Sequence, residues 1–264
     1  MLRSFDVDTQ VSPAGSAQYS AQISDRWNVL GGHANGGYAL AVCLSALRQE
    51  MPYPDPLTVS ATYLRRTLAG PAWVHAELIR TGRRLAFGEA RLMQDGAELV
   101  RVVASFTDLE LAEGRTVVDG APPELPPPDE CVDLAGDAEV PGLSIAERLE
   151  IRFAELPGWR QGKPSGRAFS EFWMRFADGR EPDTFSLPVL VDMANPAIFE
   201  LGEYTSVSVE LSAHVRAHPE PGWLACRVST RYLVDGFHEE DFEAWDSSGR
   251  LVVQSRQLAM LPRR

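Results

Sequence analysis

Two short stretches hold residue types that could do chemistry. GGHANGGYALAVCLSAL, residues 31–47, sets four glycines, a histidine and an asparagine directly against an apolar run with helical spacing. It serves either as a tight turn feeding a core helix or as a helix N-terminus that a ligand must approach closely. Asn35 is a good helix cap, and Gly36 and Gly37 let a backbone come near a ligand because they carry no Cβ. The second stretch, LPVLVDMANPAI (residues 187–198), places Asp192 between Leu187, Pro188, Val189, Leu190 and Val191 on one side and Met193 and Ala194 on the other. A carboxylate there is either an exposed helix residue or a buried acid, and burial is costly unless hydrogen-bonded partners hold it.

The elements that must position these residues fall into two similar halves. Residues 56–106 and 205–261 share three ordered anchors. Val59-Ser60 falls on Val207-Ser208, Pro71-Ala72-Trp73 on Pro221-Gly222-Trp223, and Leu99-Val100 on Leu251-Val252. Upstream, FDVDTQV (5–11) and RLEIRFA (148–154) alternate as half-buried strands do. Ser144 and Glu147 imitate a helical capping box, but the period of two that follows predicts a strand. SAQYSAQI (16–23) and AFSEFWMRF (168–176) read as second strands. A helix is expected over 36–49 in the first half and over 186–200 in the second. Three strands then close each half, with turns at Asp95-Gly96 and Ser248-Gly249. Between the halves, GRTVVDGAPPELPPPDE (114–130) carries five prolines and reads as an extended, semi-rigid connection. The expected division is 1–115, a linker over 116–145, and 146–264. Each half is α+β, an antiparallel sheet with one central helix. Two such halves side by side form one continuous sheet, the double hot-dog arrangement.

Composition narrows the function. The net charge of −12 argues against nucleic acid, whose phosphates select basic surfaces. The pairs Arg65-Arg66 and Arg83-Arg84 read as a solvated strand face. No apolar run reaches the roughly 18–20 residues of a membrane span, and MLRSFDVDTQ lacks the apolar core of a secretory leader. Cys43, Cys131 and Cys226 show no metal or disulfide spacing, which fits a reducing cytoplasm. His33 reads as a loop or packing residue, and His75, His214, His218 and His238 have no metal-ligand spacing. No metal and no cofactor are expected.

ANGGYALAV with DPLTVSATYLRRTLAGPAWVHAELIRTGRRLAFGEARLMQDG resembles the N-terminal half of acyl-CoA thioesterase II-like proteins. VLVDMANPAI, SVSVEL and GRLVVQSRQLAML resemble their C-terminal half. The resemblance implies a double hot-dog that hydrolyses acyl-CoA thioesters, coenzyme A being part of the substrate. It places the family's catalytic aspartate on Asp192, its hydroxyl residue on Ser208 and its glutamine on Gln257. Ser206 and Gln254 are the neighbouring alternatives, and Gln254 sits on the opposite sheet face. The family's Asp-His pair after the hydroxyl residue is replaced by Glu210 and Leu211. Ser208 and Gln257 are the kinds of partner that would hold Asp192 and a water. The resemblance also implies a thioester carbonyl pointing at the N-terminus of the first helix, where Asn35, Gly36 and the Gly37 N–H meet it. Within the first half, Ser105 is the expected counterpart of Gln257. Pairing into a homodimer or higher homo-oligomer is expected, with the site in the cytoplasm. Two other readings remain open: a hydratase of the same fold, for which VDMANPAIFE lacks the following histidine, and a non-catalytic acyl-ligand binder.

Overall fold

The computed structural model describes residues 3–134 and 142–262. Residues 135–141 of the expected linker, and 1–2 and 263–264 of the two expected halves, lie outside the described residues. The chain opens with α1 (Ser4–Asp8), β1 (Val11–Gly15) and β2 (Gln18–Ile23). The two-residue strands β3 (Asn28–Val29) and β4 (His33–Ala34) pair with each other and lead into α2 (Gly36–Glu50). Then come β5 (Asp55–Tyr63), β6 (Gly70–Thr81), β7 (Ala86–Gln94) and β8 (Ala97–Thr107). After the proline-rich stretch follow β9 (Val132–Asp133), β10 (Leu149–Phe153), β11 (Phe169–Phe176) and α3 (Leu187–Leu190). The chain closes with β12 (Val207–Val215), β13 (Leu224–Ser229), β14 (Leu233–Val234), β15 (Phe237–Trp245) and β16 (Leu251–Met260).

All strands but β3 and β4 join one antiparallel sheet, in the order β1-β2-β6-β7-β8-β5-β12-β16-β15-β13-β11-β10-β9, with β14 beside β15. The order on one side of the β5–β12 seam mirrors the order on the other. This is the double hot-dog, α+β, with α2 laid along the first half. Nearly every α2 residue from Gly37 to Leu47 is buried, because the helix is apolar on all sides and is wrapped by β6, β7 and β8.

Five expectations are corrected. Residues 5–10 are not a strand: Ser4–Asp8 form one helical turn that carries Phe5 into the core, where it meets Trp27, Phe176 and Phe185, and strand begins only at Val11. The helix over 186–200 is broken. α3 stops at Leu190, and a 3-10 turn follows at Ala197–Leu201. Pro196 has no N–H and biases Asn195 toward extended backbone, so the helix cannot run through. Four long strands, not three, close each half: a turn at Gly82–Leu85 separates β6 from β7, and β12, β13, β15 and β16 close the second half. Arg83 and Arg84 sit in that turn, and Arg65 and Arg66 in the loop after β5, rather than on a strand. The fifth correction is to the repeat's register. One residue is left unpaired at Leu57 in β5 and at Val209 in β12, and likewise at Leu99 in β8 and Val252 in β16. These bulges are equivalent, so Pro56 rather than Ser60 matches Ser208, and Ala104 rather than Ser105 matches Gln257. Ser105 instead pairs its hydroxyl with Thr58 on the other face.

The remaining expectations differ less. β10 has Leu149, Ile151 and Phe153 buried on one face, as its alternation implies. Ser144–Glu147 do form one 3-10 turn, but without a side-chain cap; the Ser144 hydroxyl donates to the Asp25 carbonyl. The proline-rich segment lies against the second half, accepting hydrogen bonds from Trp173 and Arg227, turns through a 3-10 helix at Pro128–Glu130, and is followed by the short edge strand Val132–Asp133. Cys43 and Cys226 are buried free thiols and Cys131 is a free, partly buried one.

Phe5 ties the start of the first half to the aromatic core of the second. Phe5→Ala is expected to cost about 3–5 kcal/mol, measured by denaturant unfolding. A loss under about 1 kcal/mol would show that α1 is not part of the folded core.

Candidate active site

The unwound stretch after α3 lies against the N-terminus of α2. Asp183 and Ser186 start α3 by capping each other: Asp183 N–H donates to Ser186 Oγ at 2.9 Å, and Ser186 N–H to Asp183 Oδ1 at 2.7 Å. Beyond α3 the turns tighten, with Asp192 N–H bonding to the Val189 carbonyl at 3.1 Å. This aims the Asp192 side chain across the boundary between the halves.

There it meets the first, unsatisfied N–H groups of α2, which attract negative charge. Gly37 N–H donates to Asp192 Oδ2 at 2.6 Å, and Asn35 Nδ2 donates to the same oxygen at 3.2 Å and to the Asp192 carbonyl at 3.0 Å. Asn35 Oδ1 caps α2 by accepting from Tyr38 N–H at 3.1 Å. From the floor, Gln257 Nε2 donates to Asp192 Oδ1 at 3.0 Å and also to Ser208 Oγ. Burial pushes the Asp192 carboxyl up to about 6, against the pull of the Gly37, Gln257 and Asn35 donors.

All six residues expected at the site are therefore in one place. Gly36 and Gly37 are glycines for a reason of space. A Cβ on Gly37 would lie 2.7 Å from the Val189 carbonyl oxygen and 3.1 Å from Asp192 Cβ, and one on Gly36 would lie 2.9 Å from Asp192 Oδ2. One assignment changes. The Gly37 N–H, expected to face a thioester oxygen, is taken by the Asp192 carboxylate. The Gly36 N–H has no acceptor among the described residues.

The bulge at Val209 explains Ser208. Plain alternation back from the buried Leu211 would point Val209 inward and Ser208 out; the extra residue turns Ser208 inward, beside Gln257. The alternatives lie elsewhere: Ser206 bonds His238 Nε2 at 2.8 Å, and Gln254 faces Glu243 at 3.2 Å on the outer side. Glu210 accepts from Ser60 at the β5–β12 seam, so it replaces the family's acid without touching Asp192. His33 is half-buried, its imidazole pushed down by burial and then by Arg66.

The reading of residue types missed Glu240. It lies directly across from Gln257 in β15 and is buried, its Oε2 accepting the Ala197 N–H at 2.7 Å. Burial pushes its carboxyl up to about 8, and the Asp192 charge adds to the rise. Its signal was the alternation of β15, which puts Glu240 on the same face as buried Phe242 and Ala244.

The mirrored strand order and the helix laid against each half make this a double hot-dog protein. The chain belongs to the acyl-CoA thioesterase family: the family's N-terminal domain matches residues 23–107 and its C-terminal domain matches residues 128–261. It is 26% identical over 271 residues to an uncharacterised protein of Mycobacterium tuberculosis, covering 92% of this chain and 91% of that one. A candidate thioesterase II of Thermobifida fusca shares 26% identity at a TM-score of 0.87, with 98% of each chain covered. The acyl-CoA thioesterase II TesB2 of Mycobacterium marinum shares the fold at a TM-score of 0.71 and 17% identity, with 99% of each covered. Among the described residues no helix is long and apolar enough to cross a membrane.

Two expected outcomes follow from this geometry. Gly37→Ala forces α2 away from Val189 and is expected to destabilise the fold by about 1–3 kcal/mol as well as lower activity; unchanged unfolding would mean the two elements give way freely. Glu240 binds its proton more tightly folded than unfolded, its ordinary value of 4.5 being raised to about 8. Its favourable share of stability is complete below about pH 4.5 and is lost as pH rises through about 8. Glu240→Gln removes that titration. Its melting temperature should match the wild type near pH 5 and exceed it at pH 9; parallel melting curves at both values would contradict a proton on Glu240.

Proposed function

We propose that the protein hydrolyses acyl-CoA thioesters, with Asp192 as general base toward a water held by Ser208 and Gln257. The observation that carries this reading is the Asp192 carboxylate itself. It is desolvated, raised to about 6, and aimed by hydrogen bonds from Gly37, Asn35 and Gln257. A base with that affinity is ionised at neutral pH yet still accepts a proton readily.

Water attacks the thioester carbon, and Asp192 takes its proton. The tetrahedral oxyanion is stabilised by the Gly36 N–H and the positive end of α2. Collapse expels the coenzyme A sulfur, to which the proton passes. The same carboxylate could attack the carbon directly, but its oxygens already accept three side-chain and backbone donors, which favours the water route. The chemistry needs the chain's own groups, water and substrate. Hydration of an alkene is disfavoured, because no histidine is among the hydrogen-bond partners of Asp192.

Thiol release from acyl-CoA tests the reading. Asp192→Asn is expected to lower kcat by roughly 10²- to 10⁴-fold while acyl-CoA still binds. Ser208→Ala and Gln257→Ala should each cost less. kcat/KM should climb with pH up to a plateau above about 6, as Asp192 loses its proton, and this limb should vanish in Asp192→Asn. Wild-type turnover retained in Asp192→Asn rules out the mechanism. Loss of the enoyl absorbance without thiol release would make the protein a hydratase, and saturable binding without turnover would make it a binder.

A further inference from the structure

Tyr63 closes β5 with its ring against the start of α2. A Cβ placed on Gly36 would lie 2.9 Å from Tyr63 Cε1 and Cζ, and equally 2.9 Å from Asp192 Oδ2. The phenol and the carboxylate thus touch the same glycine, the one whose N–H is open.

The Tyr63 hydroxyl is buried and has no hydrogen-bond partner among the described residues. Other tyrosines in the fold satisfy theirs: Tyr19 bonds Glu50, Tyr38 donates to the Asp8 carbonyl at 2.8 Å, and Tyr53 donates to the Gly82 carbonyl at 2.8 Å. A buried hydroxyl without a partner is costly and calls for a reason. Packing does not supply one. By the register of the paired bulges, the residue in the second half that matches Tyr63 is Val215, fully buried and apolar. The sheet is therefore closed equally well at this position without a hydroxyl.

We propose that Tyr63 is a second oxyanion donor, its O–H and the Gly36 N–H together hydrogen-bonding the thioester carbonyl oxygen as negative charge develops on it. This rests on the thioester-hydrolysis reading above. The hydroxyl breaks no bond to the protein when it turns to the oxyanion, so its stabilisation is preorganised. Burial first, and then the Asp192 charge, hold the phenol well above its ordinary range. It remains a proton donor at every pH at which Asp192 is a base, so the two groups act in opposite senses on one substrate without competing for one proton.

The test is Tyr63→Phe, read by steady-state thiol release and by melting temperature in the same buffer. The expected result is a fall in kcat of about 10²-fold, the scale of one lost oxyanion donor, with KM little changed and a melting temperature equal to or above the wild type. Unchanged kcat overturns the proposal, as does a rise in KM alone, which would mean uniform ground-state binding. A lowered melting temperature also overturns it, because the hydroxyl would then have a structural partner. Wild-type protein that releases no thiol from any acyl-CoA fails the hydrolysis reading, and this one with it; an active wild type with a fully active Tyr63→Phe fails this one alone.

Discussion

The structure turns on one contact: the Asp192 carboxylate set against the N-terminus of α2. A helix end leaves its first N–H groups unpaired and carries partial positive charge. A buried carboxylate lacks solvation and needs donors. Each half of the chain holds one of these two incomplete groups, and each completes the other. The contact thereby joins the halves and makes a site in one step. Burial raises the acid, the donors and the helix end restrain the rise, and the balance near 6 leaves a carboxylate that is both ionised and basic at neutral pH.

Other crossings hold the halves in the alignment this contact requires. Asp55, buried at the start of β5, accepts from Thr184 Oγ1 at 2.7 Å and meets His218 at 3.1 Å. Arg180 pairs with Asp6 at 2.7 Å and Asp183 at 2.8 Å while covering the rings of Phe5 and Phe176. Asp183 also caps α3. The cap, the ion pair and the aromatic cluster thus fix the direction from which the Asp192 stretch approaches α2. Displacements of about 1 Å at such a site are costly to catalysis, which gives these remote contacts a functional consequence.

Much of this was legible in the residues. The start of α2 follows from Asn35 and two glycines before an apolar run, and the two-fold repeat of strand patterns implied a continuous sheet. The acid stood out because a lone carboxylate in an apolar run must find partners. What stayed hidden depends on register and on competition between elements. A bulge adds a residue without changing composition, so the inward turn of Ser208 and the mismatch of Ser105 with Gln257 were invisible. FDVD alternates like a strand, but Phe5 gains more by entering the aromatic core as part of a helical turn. Apolar content around Asp192 suggested a full helix, while Pro196 was the local signal that it would break.

The broken helix is what separates the two halves in role. α2 is continuous, and its dipole and the Gly36 N–H point at the site. Its counterpart gives up helical hydrogen bonds between Leu190 and Ala197, and that loss is offset by side chains. Asn35 bonds the Asp192 carbonyl, and Glu240 bonds the Ala197 N–H. Burial, outweighing the pull of the Ala197 N–H, keeps Glu240 protonated, and a second charge beneath Asp192 would raise Asp192 further and weaken its hold on α2. The neutral Glu240 therefore lets the chain unwind around a single negative charge. Duplication makes such asymmetry possible, because one half can break its helix while the other keeps its own whole.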